Sequence, residues 1–325
     1  MFALWKRYRH LAAAAPLMLA TIATAAAQAP YPNRNITLVL PFAAGSGTDT
    51  TTRLIGKELG SALGVSTVIE NKAGANGSIA ASFVARAPAD GYTLFVTTNT
   101  THSANPYLLK TMSYDPIKDF TPIARTGDLP FMLVIHPDIP ANSVAELIAL
   151  AKKEPGKYSC ASGSSSAIVS GATFARLAGI DLLHVPYKSS PPALTDVIAG
   201  RVSMMFIDVP TGLPHVNGKA LKALAVTTKK PSALLPQLPT MDATVKGFDM
   251  SSWQGYLGPA NMPKDIVVKL NAEIRKVIER PDIKNQLAER GMEAFSGTPE
   301  EFDAFLKEQL VLWEKLIADA GIEKQ

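Results

Sequence analysis

The sequence predicts an α/β fold built as two domains. Short apolar runs each end in a segment rich in Gly, Ser, Thr or Asn, and helical periodicity resumes directly after those segments. The third observation is the length of 325 residues, against about 100–200 for one domain. Strands buried on both faces and joined by crossover helices imply a parallel sheet. Hydrophobic residues make up 47% of the chain and charged residues 18%, which supplies a large core and excludes a disordered chain.

The N-terminus reads as an address. Lys6, Arg7 and Arg9 are followed by an uncharged run over residues 11–27 that closes on Ala25-Ala26-Ala27. A basic region, an apolar region and a small-residue site in that order form a signal peptide, residues 1–27, cleaved after Ala27. The run is interrupted by Pro16 and is short of the roughly 20 residues a membrane span needs. The expected location is the periplasm. Removing three cations and no acid lowers the formal charge from +4 to +1, so the basic excess belongs to the leader and no nucleic-acid partner is expected.

Residues 36–40 form the first predicted strand, followed by a helix over 48–63 with Leu54, Ile55, Leu59 and Leu63 on one face. A second strand (67–70), a helix (78–86), a turn at Pro88-Ala89-Asp90-Gly91 and a third strand (92–96) follow. The pattern repeats with a strand at 132–135 and a helix from Ser143 carrying Leu147 and Leu150 inward. Then come a strand at 158–161, helices at 167–177 and 191–198, and strands at 204–207 and 221–226. The last third turns helical. Pro263 opens a stripe of Ile266, Leu270, Ile274, Val277 and Ile278 that Pro281 stops. Thr298-Pro299-Glu300-Glu301 is a capping box, before Phe302, Phe305, Leu306, Leu310, Trp313, Leu316 and Ile317 at helical spacing.

Candidate chemistry sits where strands end, because ligands of open α/β sheets bind outside the carboxyl ends of the strands. The first such loop is Phe42-Ala43-Ala44-Gly45-Ser46-Gly47-Thr48-Asp49. Its glycines allow close backbone approach, and the next helix aims its free N–H groups there, which suits an anion. The same residues also fit an ordinary glycine turn with Thr48 or Asp49 as N-cap. The second loop, Thr97-Thr98-Asn99-Thr100-Thr101-His102-Ser103, is a row of donors and acceptors or simply a polar turn. The third, Ser162-Gly163-Ser164-Ser165-Ser166, precedes a helix and is a second anion-suited terminus or a solvated linker. Asp208 ends an apolar strand, where it can accept from a ligand or cap the following turn.

Competing motifs are weaker. Gly45-x-Gly47-x-x-Thr50 with Glu70 lacks the third glycine of a dinucleotide fingerprint. Gly163-Ser164-Ser165-Ser166-Ala167 resembles a nucleophile elbow, which makes an exported serine hydrolase using Ser165, with Asp208 and His215 downstream, the alternative from another class. His102, His136, His184 and His215 show no metal-binding spacing, so neither a metal nor a cofactor is expected. The single cysteine, Cys160, excludes an intrachain disulfide and reads as a buried small hydrophobe.

Seven segments together carry a family resemblance: residues 36–59 (ITLVLPFAAGSGTDTTTRLIGKEL), 68–94, 114–124, 184–206 (HVPYKSSPPALTDVIAGRVSMMF), 218–230, 235–241 and 258–274 (GPANMPKDIVVKLNAEI). They resemble, in order and over nearly the whole chain beyond the leader, the Bug family, the extracytoplasmic receptors of tripartite tricarboxylate transporters. The resemblance implies a type II-like periplasmic-binding-protein fold in which two hinge-linked domains close on a ligand in the cleft between them. Crossovers are expected near residues 127–130 and 247–253, making one domain of 28–127 with 250–325 and the other of 128–249. The helical C-terminal third is expected to pack back onto the first.

By the same resemblance the partners are a small carboxylate and the transporter's membrane subunits, the chain acts as a monomer, and it has no catalytic residues. Ligand contacts are implied for Ala43, Ala44, Gly45, Ser46, Gly47, Thr48 and Asp49 from one domain and for Ser162, Ser164 and Ser165 from the other, joined by Thr98, Thr100 and Asp208. This sequence has Ser46-Gly47 where the family often has Gly-Gly, and Lys188-Ser189-Ser190-Pro191-Pro192 where it often has Lys-Gly-Ser-Ala-Pro. No arginine lies in the three loops, so backbone amides and dipoles would hold the carboxylate. A sensing receptor with the same site but a different docking partner is the remaining alternative.

Overall fold

The computed structural model describes residues 30–324; the signal-peptide assignment falls outside them. In chain order the elements are β1 (Ile36–Leu40), α1 (Gly47–Leu63), β2 (Thr67–Asn71), α2 (Ser78–Ala85), β3 (Thr93–Thr98), α3 (Asn105–Leu108), β4 (Phe120–Ile135) and α4 (Val144–Lys153). They continue with β5 (Ser159–Ser162), α5 (Ser165–Ala178), β6 (Leu183–Pro186), α6 (Ser190–Ile198), β7 (Met204–Asp208), α7 (Val209–Asn217) and β8 (Lys222–Val226). The last are α8 (Met241–Thr244), β9 (Ser251–Pro259), α9 (Lys264–Glu279), α10 (Pro281–Glu289), β10 (Glu293–Ala294) and α11 (Pro299–Asp319).

The strands run in the order β2-β1-β3-β9-β4-β7-β5-β6, with β8 and β10 also pairing β4. The expected parallel pairing holds at both ends, where β1 joins β2 and β3 and where β5 joins β6 and β7. The middle is antiparallel: β9 pairs both β3 and β4, and β4 pairs β7. Two elements were not foreseen at their true extent. β4 begins twelve residues before the apolar run at 132–135, and β9 starts inside the crossover expected at 247–253 and runs on to Pro259. Both carry polar and glycine residues at positions that a strand buried between helices tolerates only where side chains find partners. β2 differs in another way. It lies at the edge of the order, so Val68 remains 46% exposed rather than buried on both faces.

Apolar layers lie on both faces. One face of the β1–β3 region packs Leu38, Leu40 and Ile55 against Leu270, Ile274 and Ile278 of α9. The other packs Val39, Phe95 and Val84 against Trp253 and Phe302. Around β7, Phe174, Phe206 and Phe248 fill one face and Met132, Met205 and Val197 the other. Fully burying each such large side chain stabilises the fold by about 1.5–3 kcal/mol. The capping box at Thr298 is present in full: its hydroxyl accepts from Glu301 N–H while the Glu301 carboxylate accepts from Thr298 N–H. α11 then contributes Phe302 and Leu306 to the cluster behind β3, and Trp313 and Ile317 to the cluster behind β7.

β4 bends on its way between the two regions. Its register against β9 shifts between Arg125 and Gly127, and Gly127 has φ +146°, a region that side-chain-bearing residues rarely adopt. A Cβ there would lie 2.4 Å from the carbonyl oxygen of Glu293 in β10. Gly127→Ala should therefore cost about 1–3 kcal/mol of backbone strain in addition to displacing β10. Urea unfolding is the measurement; an unchanged midpoint would show that the bend does not need glycine.

Candidate functional site

The site is assembled where strands end and helices begin. After β1 the chain turns at Ala43, Ala44 and Gly45, and Ser46 rather than Thr48 or Asp49 caps α1, its hydroxyl accepting from Asp49 N–H at 3.3 Å. Asp49 turns toward the end of β2 and is not among the residues lining the cavity. Its Oδ2 accepts from Gly45 N–H at 3.0 Å and Arg53 Nε at 3.0 Å; its Oδ1 accepts from Arg53 Nη2 at 2.9 Å and Asn71 Nδ2 at 3.0 Å. The same Asn71 amide donates to the carbonyl of Phe42. Asp49 thus cinches the loop from behind.

β3 ends at Thr98, and a single π-type turn over Thr100–Ala104 carries the polar run inward instead of into solvent. Thr97, Thr98, Asn99, Thr100, Thr101 and His102 are all at most 2% exposed. His102 lies among the rings of Phe95, Tyr114 and Phe120, and its Nδ1 shares a 2.6 Å hydrogen bond with Thr97 Oγ1. Burial pushes its pKa down to about 3, so the imidazole is a neutral core residue.

From the other side, Ser164 caps α5 by accepting from Ala167 N–H at 3.3 Å, and the helix starts at Ser165, two residues earlier than its apolar pattern. Asp208 caps α7, its Oδ1 accepting from Thr211 N–H at 2.9 Å and Thr211 Oγ1 at 2.6 Å. α6 begins at Ser190 behind Ser189. Direct contacts bridge these loops to the first two. Ala43 N–H donates to Ser189 Oγ at 3.1 Å, Ser165 N–H to Thr100 Oγ1 at 3.3 Å, and Asn99 Nδ2 to Ser166 Oγ at 2.8 Å. Ser252 of β9 hydrogen-bonds Asn99 Oδ1. Gly47 packs so tightly on Asp208 that a Cβ would lie 2.0 Å from Oδ1.

A narrow cavity of about 20 Å³ remains between them, about the space of one buried water. Ser46, Gly47, Thr48, Thr98, Thr100, Ser164 and Asp208 line it, as their positions at strand ends suggest. Ala43, Ala44, Gly45, Asp49, Ser162 and Ser165 are not among the lining residues. Gly45 and Asp49 are held in the loop's own framework, Ala43 N–H is spent on Ser189 Oγ, and Ser162 Oγ is bonded to His184 Nε2 at 2.6 Å. Ser165 presents its amide to Thr100, and no hydrogen bond among the described residues joins its hydroxyl to Asp208 or His215. Four lining residues escaped sequence reading, Leu129, Phe131, Ser190 and Ser252, while Phe42 was placed in the first loop without a ligand contact. Ser190, just before Pro191-Pro192, bore a helix-start signature; the rest belong mainly to β4 and β9, whose full lengths were not legible. A larger open groove, about 850 Å³, lies on the surface beside β2 and touches none of these strand-end loops.

The sequence profile of the tripartite tricarboxylate transporter family receptor, TctC, matches residues 51–322. The chain belongs to this family. A relative from Pseudomonas sp. strain P51, the UPF0065 protein of the tcbD-tcbE intergenic region, is 34% identical and covers 96% of this chain and 94% of its own. BugT of Bordetella pertussis is 30% identical, over 92% of this chain and 95% of its own. Among solved structures, R. palustris Rpa4515 with adipate superposes with a TM-score of 0.89 at 35% identity, covering 91% of this chain and all of that one. MatC from Rhodopseudomonas palustris with bound malate gives 0.81 at 30% identity, covering 88% of this chain and all of that one. The fold is therefore the mixed α/β, two-domain fold of periplasmic binding proteins, and the family is one of solute-binding receptors. Among the described residues, no helix is long and apolar enough to cross a membrane.

The two carboxylates of the site respond oppositely to pH. Burial alone would raise the Asp49 pKa, but hydrogen bonds from Arg53, Gly45 and Asn71, with the charge of Arg53, hold it below the ordinary value. Burial raises that of Asp208 despite its bonds to Thr211. A depressed carboxyl stabilises the fold above its unfolded pKa, and that contribution is lost as pH falls through the folded value; a raised one costs stability at neutral pH and ceases to do so in acid. Asp49→Asn should lower the Tm at pH 7, with the gap to the native protein closing below about pH 4. Asp208→Asn keeps a capping oxygen and should raise the Tm at pH 7, the gain shrinking on acidification. Calorimetry across pH checks both signs; parallel shifts in one direction would contradict the assignment.

Proposed function

We propose that this protein is a periplasmic receptor that captures a small organic acid between its two domains and delivers it to the membrane subunits of a tripartite tricarboxylate-type transporter. The carrying observation is the small cavity at the N-termini of α1, α5 and α6, whose polar side chains are hydroxyls and the Asp208 carboxylate and which has no cationic side chain among the described residues of its lining. Each helix terminus favours an anion by about 0.3–1 kcal/mol, up to about 2 when partly buried, and each hydrogen bond to an ionised group adds about 1.5–3. Three termini and a few amides thus reach the roughly 8 kcal/mol of a micromolar complex. Adipate in one relative and malate in another support the carboxylate class. Delivery to a transporter rests on the family.

In this reading the domains are residues 28–127 with 250–325 and residues 128–249, and β4 and β9 are the hinge. The described conformation is the closed one: its cavity of about 20 Å³ admits no organic acid, so capture requires opening along the contacts between Ala43 and Ser189, Thr100 and Ser165, and Asn99 and Ser166. The protein acts as a monomer and catalyses no reaction. Ser165, whose hydroxyl has no hydrogen-bonded base among the described residues, supports that over a hydrolase.

A thermal-shift screen of the exported protein against an organic-acid panel tests the function. A ligand at 100 times its Kd should add about 2.7 kcal/mol of stability, with no turnover. Gly47→Ala, whose methyl would meet Asp208 on closure, should weaken binding of the best ligand at least tenfold, about 1.4 kcal/mol. Binding unaffected by that substitution would remove closure from the mechanism; a panel with no hit would remove the carboxylate.

A further inference from the structure

Asp208 stands out in the cavity. Among the described residues it is the only titratable side chain in the lining, and it is 8% exposed. Its Oδ1 is fully engaged by the amide and hydroxyl of Thr211, and Gly47 presses against that same oxygen, so the carboxylate cannot swing out of the wall. Both bonds from Thr211 end on Oδ1, which leaves Oδ2 as the oxygen they do not use. The other polar side chains of the lining, such as Ser46, Thr48, Thr98 and Ser164, are hydroxyls that can donate or accept as a ligand requires. An ionised carboxylate can only accept.

We propose that Asp208 is a specificity-determining residue, selecting organic acids whose carbon chain carries a hydrogen-bond donor, a hydroxyl or an ammonium group, over unsubstituted dicarboxylates. This rests on the receptor reading above. The helix termini of α1, α5 and α6 take the acid group, while Oδ2 of Asp208 takes the donor. A second ionised carboxylate placed there instead would meet a like charge that has no room to retreat.

The test is calorimetric binding of two matched sets to the native protein and to Asp208→Asn: succinate, malate and aspartate, and glutarate, 2-hydroxyglutarate and glutamate. Asparagine retains the capping oxygen for α7 and offers an amide in place of the fixed acceptor. The native protein should bind at least one donor-bearing member tenfold or more tightly than its unsubstituted partner, and the variant should bring that ratio within about threefold, about 0.65 kcal/mol. Malate against aspartate tells hydroxyl from ammonium. Equal affinity for all members of a set in the native protein, or an unchanged ratio in the variant, overturns the assignment while leaving the receptor reading intact. No binding by any of the acids overturns both.

Discussion

The antiparallel pairing of β4 with β9 is the constraint on which the rest of the structure depends. It runs from Phe120 opposite Pro259 to Pro130 opposite Ser251. On one side β9 continues the order into β3 and β1; on the other, β4 continues it through Met132–Ile135 into β7 and β8. Two parallel α/β units are thereby joined edge to edge with their strand ends facing a common space. Neither unit alone could enclose that space, since one supplies Ser46, Thr48 and Thr98 and the other Ser164, Ser190 and Asp208. The ribbon itself contributes Leu129, Phe131 and Ser252, so the wall that joins the units is also a wall of the site.

That geometry explains a polar interior that would otherwise be costly. Thr97, Thr98, Asn99, Thr100, Thr101 and His102 are buried where an ordinary fold would place apolar side chains, and buried polar groups are tolerated only when partnered. Partners come from both directions. Thr97 serves Thr101 and His102, Asn99 joins Ser166 and Ser252, and Thr100 accepts from Ser165. Deeper, Thr51 Oγ1 donates to Gln254 of β9 at 2.8 Å, tying the first turn of α1 to the ribbon. The chain therefore fixes the orientation of its helix N-termini through side-chain hydrogen bonds that need both units in place.

How much of this was legible beforehand follows from which signals are local. β1, α1, β3, α5, α9 and the Thr298 capping box announce themselves within a few residues through periodicity and caps, and they lie where the pattern put them. β4 and β9 do not. Phe120–Ile135 contains Arg125, Gly127 and Asp128, and Ser251–Pro259 contains Gln254 and Gly255. Their strand character comes from each other and from partners distant in sequence: Arg125 lies over the ring of Phe305, and Gly255 leaves room for Phe302. The site shares that division. Residues at strand ends could be named in advance, whereas side-chain direction could not, which is why Asp49 and Ser162 proved to face other partners. α7 was missed for a related reason: Pro210 and Pro214 conceal a helix whose start is made acceptable by the Asp208 cap.

Two carboxylates near one anion-suited cavity need opposite treatment, and the structure provides it. Asp49 sits behind the first loop, where the Arg53 guanidinium and two amide donors neutralise its field before it reaches the cavity. Asp208 sits in the wall with, among the described residues, no cation beside it in the lining, and the N-terminus of α7 and Thr211 offset its charge. Two unit charges 4 Å apart interact by about 4 kcal/mol at an effective dielectric constant near 20. That is comparable to what two or three helix termini supply to a bound anion. A carboxylate ligand therefore gains little if its charge approaches Asp208 and much if it stays at the α1, α5 and α6 termini. Under the proposed carboxylate reading, the position of one buried acid would set the direction in which an asymmetric ligand lies, because the other polar side chains of the lining are hydroxyls that can donate or accept.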